Sequence, residues 1–375
     1  MVTKVVWDRL LAVICAAVLS GTLVVGLWPL TPHPKNDVAR IPNRIGLHFG
    51  EYGTILSAGA FQAGDSAGGA PCSLEMWFKP GNINDSNTML AFYNPENLVS
   101  FSLHQSIKDL VIERQIRDRQ DHVSEVHIYL DDVLHQETPA FITITASPQG
   151  TAFYVDGVLV KKSSSFALSR KDLVGQLVVA NSPVANDSWS GDLLGLAIYD
   201  RELTATEVLE HSNSWTKNGR PAIPEKGDPV ALYLFDERLG SVIHNRAGSA
   251  PDLYIPDHYL IVRQTFLEVP WQEYNPGWGY YKDVLINIGG FIPLGFVFCA
   301  YLSSALHLKR AQSTTILLGF TVSLTIEVLQ AFIPTRDSGM TDVITNTLGT
   351  AIGAMAFPWK ITQAIFSRVG IPIEH

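Results

Sequence analysis

Residues 283–306, DVLINIGGFIPLGFVFCAYLSSAL, contain no charged residue after the first aspartate. The 23 uncharged residues that follow it match the roughly 20 apolar residues that a helix needs to cross a lipid bilayer. Residues 10–30 and 343–359 are also uncharged, and residues 311–335 hold a single charge, at Glu327. The sequence therefore predicts an α-helical bundle of four transmembrane helices.

The composition agrees with a chain that lies partly in lipid. Charged residues make up 17% of the chain and the mean hydropathy is +0.14, whereas soluble domains carry about 25% charged residues. The first apolar run follows Lys4 and Arg9, so a cleaved signal sequence is an alternative to a retained helix. A retained helix is favoured because the run, at 21 residues, is longer than the roughly 7–15 residues of a signal core.

The flanks of the apolar runs predict which side each one faces. Basic residues lie in the flanks that share one side of the membrane, namely Lys4, Arg9, Lys309, Arg310, Lys360 and Arg368. The positive-inside rule places these flanks and both termini in the cytoplasm, and residues 31–280 outside it. That outer segment holds 19 basic and 30 acidic residues. Its acidity argues against a nucleic-acid partner, because phosphate binding needs clustered basic residues.

Within residues 31–215, a core at 45–215 shows short alternating runs broken by turn residues, which predicts an all-β sandwich. The clearest hairpin signal is Asp156-Gly157 between two β-rich runs. A short helix at 205–212 is expected to begin with a capping box.

Three stretches carry a family resemblance: SLEMWFKP at 73–80, AFYVDGV at 152–158 and WSGDLLGLAIYDRELTATEV at 189–208. They resemble the concanavalin A-like jelly roll of the laminin-G type. The resemblance implies a domain that binds glycans or proteins, sometimes through calcium. The paired-carboxylate motif of the hydrolytic members is missing from the sequence, because Glu75 is isolated, so binding is favoured over hydrolysis.

Two sets of residues in the sandwich are candidates for contact with a ligand. Asn186, Asp187 and Asp192 supply the oxygen ligands that calcium prefers, although polar loops carry such residues without an ion. Trp189 is the candidate for stacking on a sugar ring, although a place in the apolar core of the sandwich is the favoured interpretation.

Residues 216–280 predict a linker followed by a juxtamembrane aromatic segment. Five aromatic residues lie between positions 269 and 281. Tryptophan and tyrosine at this position are typical of the membrane interface.

A repeated motif marks the start of two of the membrane helices. Asp-Val-x-x-Asn-x-x-Gly occurs at Asp283/Asn287 and again at Asp342/Asn346, and both helices run inward from the outer side. The antiparallel third helix brings Glu327 and its neighbour Gln330 to the same level, and a connecting loop holds Arg336 and Asp337. These eight polar residues are the candidate binding set, with the small residues Gly289, Gly290, Gly349 and Gly353 expected to allow close helix packing.

The spacing of this set resembles the VanZ-like family, named for a protein that lowers susceptibility to glycopeptide antibiotics. The resemblance spans residues 281–360, followed by a cytoplasmic tail at 361–375, and the first helix at 1–30 fits the family's leading helix. It implies a bacterial cytoplasmic-membrane protein with the sandwich inserted between helices one and two.

Three hypotheses follow for the polar set. The first is recognition of a polar lipid or cell-wall precursor headgroup, beside glycan or protein binding by the sandwich. The second is an enzyme with Glu327 or Asp337 as general base, which is less favoured because the set holds no nucleophile or histidine ligands for a metal. The third is a structural cluster, in which Glu327 pairs with Arg336 because a carboxylate in lipid needs a partner. Transport by four helices is a further alternative, and the oligomeric state is open.

Overall fold

The computed structural model describes residues 2–62, 69–96, 98–117, 123–219, 229–248, 250–274 and 278–357. The chain forms two compact units. One is His33–Gln264, the sandwich unit, and the other, the helical unit, combines Met1–Pro32 with Thr265–His375. The helices are α1 (Val2–Leu27), α2 (Ala205–Asn218), α3 (Pro270–Glu273), α4 (Trp278–Ser304), α5 (Ala311–Gln330) and α6 (Met340–Ala356).

Three helices of the helical unit are long and apolar enough to cross a membrane: Val5–Leu27, Tyr280–Ser304 and Ala311–Gln330. The fourth predicted span corresponds to α6, whose 17 residues fall short of the roughly 20 that a span needs. Residues 358 and 359 of that predicted span, and the predicted tail, lie outside the described residues. The prediction of a membrane protein is confirmed, with three candidate spans rather than four.

The sandwich unit is a jelly-roll-like pair of antiparallel sheets. Its strands are β1 (Val38–Arg40), β2 (Leu47–Phe49), β3 (Ile55–Phe61), β4 (Cys72–Pro80), β5 (Ser86–Tyr93), β6 (Val99–Ser106), β7 (Asp109–Arg117), β8 (Val123–Leu130), β9 (Ala140–Ser147), β10 (Gly150–Val155), β11 (Val158–Ser163), β12 (Gly175–Val179), β13 (Gly191–Tyr199), β14 (Ala231–Tyr233), β15 (Val242–Ile243) and β16 (Leu253–Tyr254). The first sheet runs β1-β2-β13-β4-β9-β10-β11, with β14 also on β13, and the second runs β15-β16-β3-β12-β5-β6-β7-β8. Alternate residues from both sheets fill the core between them.

Local signals predicted two features of the sandwich correctly. Asp156 and Gly157 both have positive φ, 50° and 82°, and join β10 to β11 as a tight hairpin. Thr204 and Glu207 form the expected capping box, with the Thr204 N–H donating to Glu207 Oε2 at 2.8 Å. The helix that they start, α2, continues beyond its predicted end to Asn218.

The segment that the sequence assigned to a linker differs in the structure. Strand β14 pairs with β13 and strand β16 pairs with β3, so residues 231–264 belong to the sandwich unit. These strands are two or three residues long. The sequence predicts a strand from Ala231, which is confirmed as β14, whereas β15 and β16 carry too little alternation to be recognised.

Helix α2 covers the outer face of the first sheet through a buried polar triad. Glu75 on β4 is fully buried, accepts from Tyr199 Oη at 3.0 Å and lies 3.1 Å from His211 Nδ1. Burial alone would lower the pKa of His211, but the hydrogen bond and charge of Glu75 outweigh it and raise the pKa. The triad therefore ties α2 to the sheet through a charged contact.

Glu75→Gln should lower the free energy of unfolding of the sandwich by roughly 3 kcal/mol at pH 6, because it breaks a buried charge pair. Since the folded state raises the His211 pKa above 6.5, this contribution is complete below pH 6.5 and is lost as the pH rises through the folded-state value. Denaturant unfolding of the full chain in detergent at pH 6 and pH 9, followed by tryptophan fluorescence, measures it. Exposed Glu210→Gln on the same helix is the control, and equal effects of both variants at pH 6 would contradict the prediction.

Candidate functional site

Two adjoining cavities lie at the end of the helical unit where α1 and α5 end and α4 and α6 begin. The acidic cavity, about 460 Å³, is lined mainly by the loop before α6 and the first turns of α4, with Glu268 and Glu273 from the segment before α4. The helix cavity, also about 460 Å³, lies between α1, α4, α5 and α6. Ile286, Asn287, Arg336 and Asp342 line both, so the two cavities share a wall.

All eight residues of the predicted binding set line one or both cavities. Of this set, the residues that line the acidic cavity are Asp283, Asn287, Arg336, Asp337 and Asp342. Those that line the helix cavity are Asn287, Glu327, Gln330, Arg336, Asp342 and Asn346. The structure therefore brings together residues from three helices and a loop that the sequence placed at one level.

The repeated motif makes one direct contact between its two copies. Asn287 Nδ2 of the first copy donates to Asp342 Oδ1 of the second at 2.7 Å, which joins α4 to α6. The asparagine of the second copy has a different partner, because Asn346 Nδ2 donates to Ser323 Oγ on α5 at 2.9 Å. The motif is thus symmetric in sequence but links α6 to two different helices.

Glu327 is 1% exposed and is held by the loop that follows its helix. Its Oε2 accepts the Gly339 N–H at 2.9 Å, and its own carbonyl oxygen accepts the Ser338 hydroxyl at 2.9 Å. Arg336 is close enough to act electrostatically on the carboxylates of both Glu327 and Asp342. The partner that the sequence predicted is therefore nearby, while the direct hydrogen bond comes from the backbone.

The last turn of α1 is bound to the same cluster. Gln330 Nε2 donates to the Gly26 carbonyl oxygen at 2.7 Å, and Arg336 Nη2 donates to it at 3.4 Å. The last carbonyls of a helix have no partner within the helix and carry partial negative charge. An amide and a guanidinium therefore fix α1 against the other helices.

The sequence missed two carboxylates of the acidic cavity, Glu268 and Glu273. An isolated β-bridge between Glu268 and Gly339 brings their segment to the loop before α6, with the Glu268 N–H donating to the Ser338 carbonyl at 3.0 Å. Glu273 Oε2 then accepts the Thr341 N–H at 3.1 Å. A single bridge leaves no periodic pattern in the sequence, so nothing in it would have indicated these two residues.

Close packing of α4 against α6 positions the motif residues. A Cβ atom on Gly349 would clash with the Ile288 carbonyl oxygen, and one on Gly353 would clash with the Ile292 carbonyl oxygen one turn further. The predicted packing role is confirmed for these two glycines. It is wrong for Gly289 and Gly290, which have open space around the Cβ position, and Gly290 lines the helix cavity instead.

The structure corrects the sugar-stacking role of Trp189. Its side chain is 1% exposed, its Nε1 donates to Gln105 Oε1 at 2.7 Å, and its ring packs against Phe49 and Phe78. Trp189 is therefore a core residue that no sugar can reach. The place in the apolar core that the sequence favoured is confirmed.

The predicted calcium ligands make separate hydrogen bonds and ion pairs. Asp187 accepts from Thr88 on β5, whereas Asp192 lies 3.0 Å from Lys79 Nζ and 2.7 Å from His48 Nδ1, on strands of the other sheet. Asn186 Oδ1 accepts from Tyr259 Oη at 2.7 Å. The role of the three residues as calcium ligands stays a prediction.

A polar pocket of about 410 Å³ opens at the same end of the sandwich. It is lined by Glu51, Tyr52, Asp85, Asn87, Asn186, Ser188 and Ser190, here called the sandwich pocket. It combines an aromatic ring with amides, hydroxyls and carboxylates, which are groups that can contact the faces and hydroxyls of a sugar.

Two family models match the chain. The model described as VanZ/LLP1 matches residues 235–362, and the model described as the concanavalin A-like lectin/glucanases superfamily matches residues 57–209. The first match contains all eight residues of the predicted binding set, and the second match lies within the sandwich unit. The comparison with curated proteins gave no match.

Solved structures with a similar sandwich are distant in sequence. They include a heptameric SAP-like pentraxin from Limulus polyphemus, with a TM-score of 0.36, 11% identity and coverage of 60% of this chain and 93% of that one. A candidate carbohydrate-binding protein from Bacteroides ovatus has a TM-score of 0.39 and 13% identity, and the match covers 58% of this chain and 61% of that one. The binding domain of Paraclostridial Mosquitocidal Protein 1 has a TM-score of 0.36 and 15% identity. The match covers 48% of this chain and 47% of that one, so this chain spans about half the length of that domain.

Gly349→Ala should destabilise the helical unit by about 1–3 kcal/mol, because the added methyl group forces α4 and α6 apart. Gly289→Ala on α4 is the matched control, since its Cβ would enter open space. Thermal unfolding of the full chain in detergent measures both. A lowered midpoint is expected for Gly349→Ala alone, and equal midpoints for the two variants would contradict the packing described here.

Proposed function

We propose that this chain, a VanZ-like membrane protein with an inserted concanavalin A-like domain, recognises ligands of the bacterial cell envelope at two places. The cavities of the helical unit bind the headgroup of a polar lipid or a lipid-linked cell-wall precursor. The sandwich pocket binds a glycan, or a protein ligand that displaces one. Binding of a wall precursor would alter susceptibility to glycopeptide antibiotics, the property for which the family is named.

The observation that carries the proposal is that all eight predicted polar residues line open cavities. A purely structural cluster in lipid is expected to pair its polar groups with one another and to close over them. Here Arg336 and Asp342 each make a hydrogen bond within the protein and still line both cavities of about 460 Å³. Space on this scale accommodates a headgroup rather than a few bridging waters.

The charges of the acidic cavity indicate the class of headgroup. The residues described there include five carboxylates, on Glu268, Glu273, Asp283, Asp337 and Asp342, and the guanidinium of Arg336. A guanidinium pairs with phosphate, and carboxylates pair with an ammonium group. A zwitterionic headgroup that joins a phosphate to a primary amine satisfies both, whereas an anionic headgroup would leave most of the carboxylates uncompensated.

The depth and side of the cavities follow from their flanks. Trp271, Tyr274 and Tyr281 precede or begin α4 and are exposed, as expected for side chains at a membrane interface. Lys309 and Arg310 lie at the opposite end of α4 and α5, so the positive-inside rule places the cavities in the outer leaflet and the termini in the cytoplasm. The ligand is then taken from the extracytoplasmic side.

Arg336→Gln should weaken binding of a short-chain phosphatidylethanolamine at least ten-fold, because a hydrogen bond to a charged group contributes about 1.5–3 kcal/mol. The measurement is calorimetric titration of the purified full chain in detergent, with phosphatidylglycerol of the same chain length as the second lipid. Arg310→Gln, at the other end of α5, is the matched control. The wild type is expected to prefer phosphatidylethanolamine.

Asp342→Asn separates recognition from structural packing in the same titration, because it keeps the shape of the side chain and removes its charge. Binding lost in both variants, with thermal midpoints close to that of the wild type, supports recognition. Equal affinity of the wild type, Arg336→Gln and Asp342→Asn would contradict the headgroup proposal and favour a structural cluster.

Tyr52→Ala should reduce glycan binding by the full chain at least ten-fold, because the pocket then lacks its aromatic ring. Hits from a glycan array are confirmed by titration, with Tyr129→Ala, an exposed tyrosine on β8, as the control. Equal binding by both variants would contradict the assignment to the sandwich pocket. A wild-type chain that binds no glycan on the array would contradict glycan recognition itself.

A further inference from the structure

Strands β6, β7 and β8 place four metal-ligating side chains on the outer face of the second sheet. Along β7, Leu110 and Ile112 point into the core, so Glu113 between Ile112 and Arg114 points outward. His127 lies directly opposite Glu113 on β8. His104 on β6 and Glu125 on β8 are diagonal neighbours of Glu113, within reach of a long side chain.

The ligating atoms of three of these side chains converge, and His104 approaches one of the three. One atom each from Glu113, Glu125 and His127 lies within 4.8 Å of the others. Glu113 Oε2 is also 3.5 Å from both His127 Nδ1 and His104 Nε2. Ligands of a tetrahedral zinc ion at bond lengths of about 2.0–2.1 Å stand about 3.4 Å apart. The observed spacing therefore needs only small side-chain movements to enclose an ion.

The hydrogen bonds of His104 fix which of its nitrogens carries a lone pair. Thr88 Oγ1 donates its one hydrogen to the Asp187 carboxylate, so at 3.1 Å it accepts from His104 Nδ1. In the neutral imidazole, Nε2 then carries the lone pair, which accepts from the Ser102 hydroxyl at 2.8 Å and lies 3.5 Å from Glu113 Oε2.

Two carboxylates face each other at Glu113. An oxygen of Glu113 and an oxygen of Glu125 lie within 4.8 Å of each other and of a His127 ring nitrogen. Two like charges this close repel, and a cation bound between them offsets the repulsion. The hydrogen bond from His104 Nδ1 to Thr88 Oγ1 is the kind of outer contact that orients a metal-binding histidine.

We propose that Glu113, Glu125 and His127 form a zinc site, with His104 Nε2 as the fourth donor once it exchanges the Ser102 hydroxyl for the ion. Imidazole nitrogen with carboxylate oxygen suits zinc, whereas calcium takes six to eight oxygen ligands. The ion would link three neighbouring strands, including β8, the last strand of its sheet. An edge strand presents unpaired backbone groups, and an ion that holds it in place would stabilise that edge. This site is independent of the headgroup and glycan proposals.

The test is a zinc titration of the full chain in detergent, carried out without a polyhistidine tag and in competition with a fluorescent chelator. The wild type should bind one zinc ion, and His127→Ala should weaken binding at least ten-fold. His127 is partly exposed, so the variant is expected to fold. His48→Ala, which removes an exposed histidine elsewhere in the sandwich unit, is the matched control.

Glu113→Gln and the absorption of bound Co²⁺ provide a second readout. Intense visible bands are expected for tetrahedral coordination by the wild type, and their loss is expected in Glu113→Gln. The proposal is overturned if the wild type binds no zinc, or if His127→Ala and His48→Ala bind it equally well. It is also overturned if Glu113→Gln leaves the spectrum unchanged, since a proton would then account for the clustered acceptors.

Discussion

The burial of Glu327 in a helix that is otherwise uncharged is the constraint on which the helical unit depends. A carboxylate in lipid costs a few kcal/mol unless protein groups compensate it. Here the compensation comes from the chain just beyond the helix, where the Gly339 N–H binds Oε2 and Ser338 binds the carbonyl oxygen of the same residue. Folding this loop back onto α5 places Arg336 between the cavities and starts α6 beside α4.

Close packing and the polar cluster are two consequences of that arrangement. Gly349 and Gly353 let α6 approach the backbone of α4, and the approach puts Asn287 within hydrogen-bonding distance of Asp342. The acidic cavity at these helix ends is lined by five carboxylates and one guanidinium, so the unit keeps an acidic concave surface. The sandwich unit solves a comparable problem differently, because Glu75 is fully enclosed by Tyr199 and His211.

Sequence reasoning worked where chemistry and spacing were local. The apolar runs, the repeated Asp and Asn positions, the Asp156-Gly157 hairpin and the Thr204 capping box all follow from contacts within a few residues. It failed where the contact was long-range or the strand was short. Glu268 and Glu273 reach the acidic cavity through one β-bridge, and strands β15 and β16, of two residues each, are too short to show alternation.

The central claim is that the polar ends of the helices form an open recognition site rather than a sealed structural cluster. A cryo-electron microscopy structure of the full chain in nanodiscs of phosphatidylethanolamine and phosphatidylglycerol tests it most directly. The account predicts headgroup density in the acidic cavity, with phosphate at Arg336 and the amine toward Glu268 and Glu273. Cavities closed by direct pairing of Arg336 with Glu327 and Asp342, and without headgroup density, would contradict it.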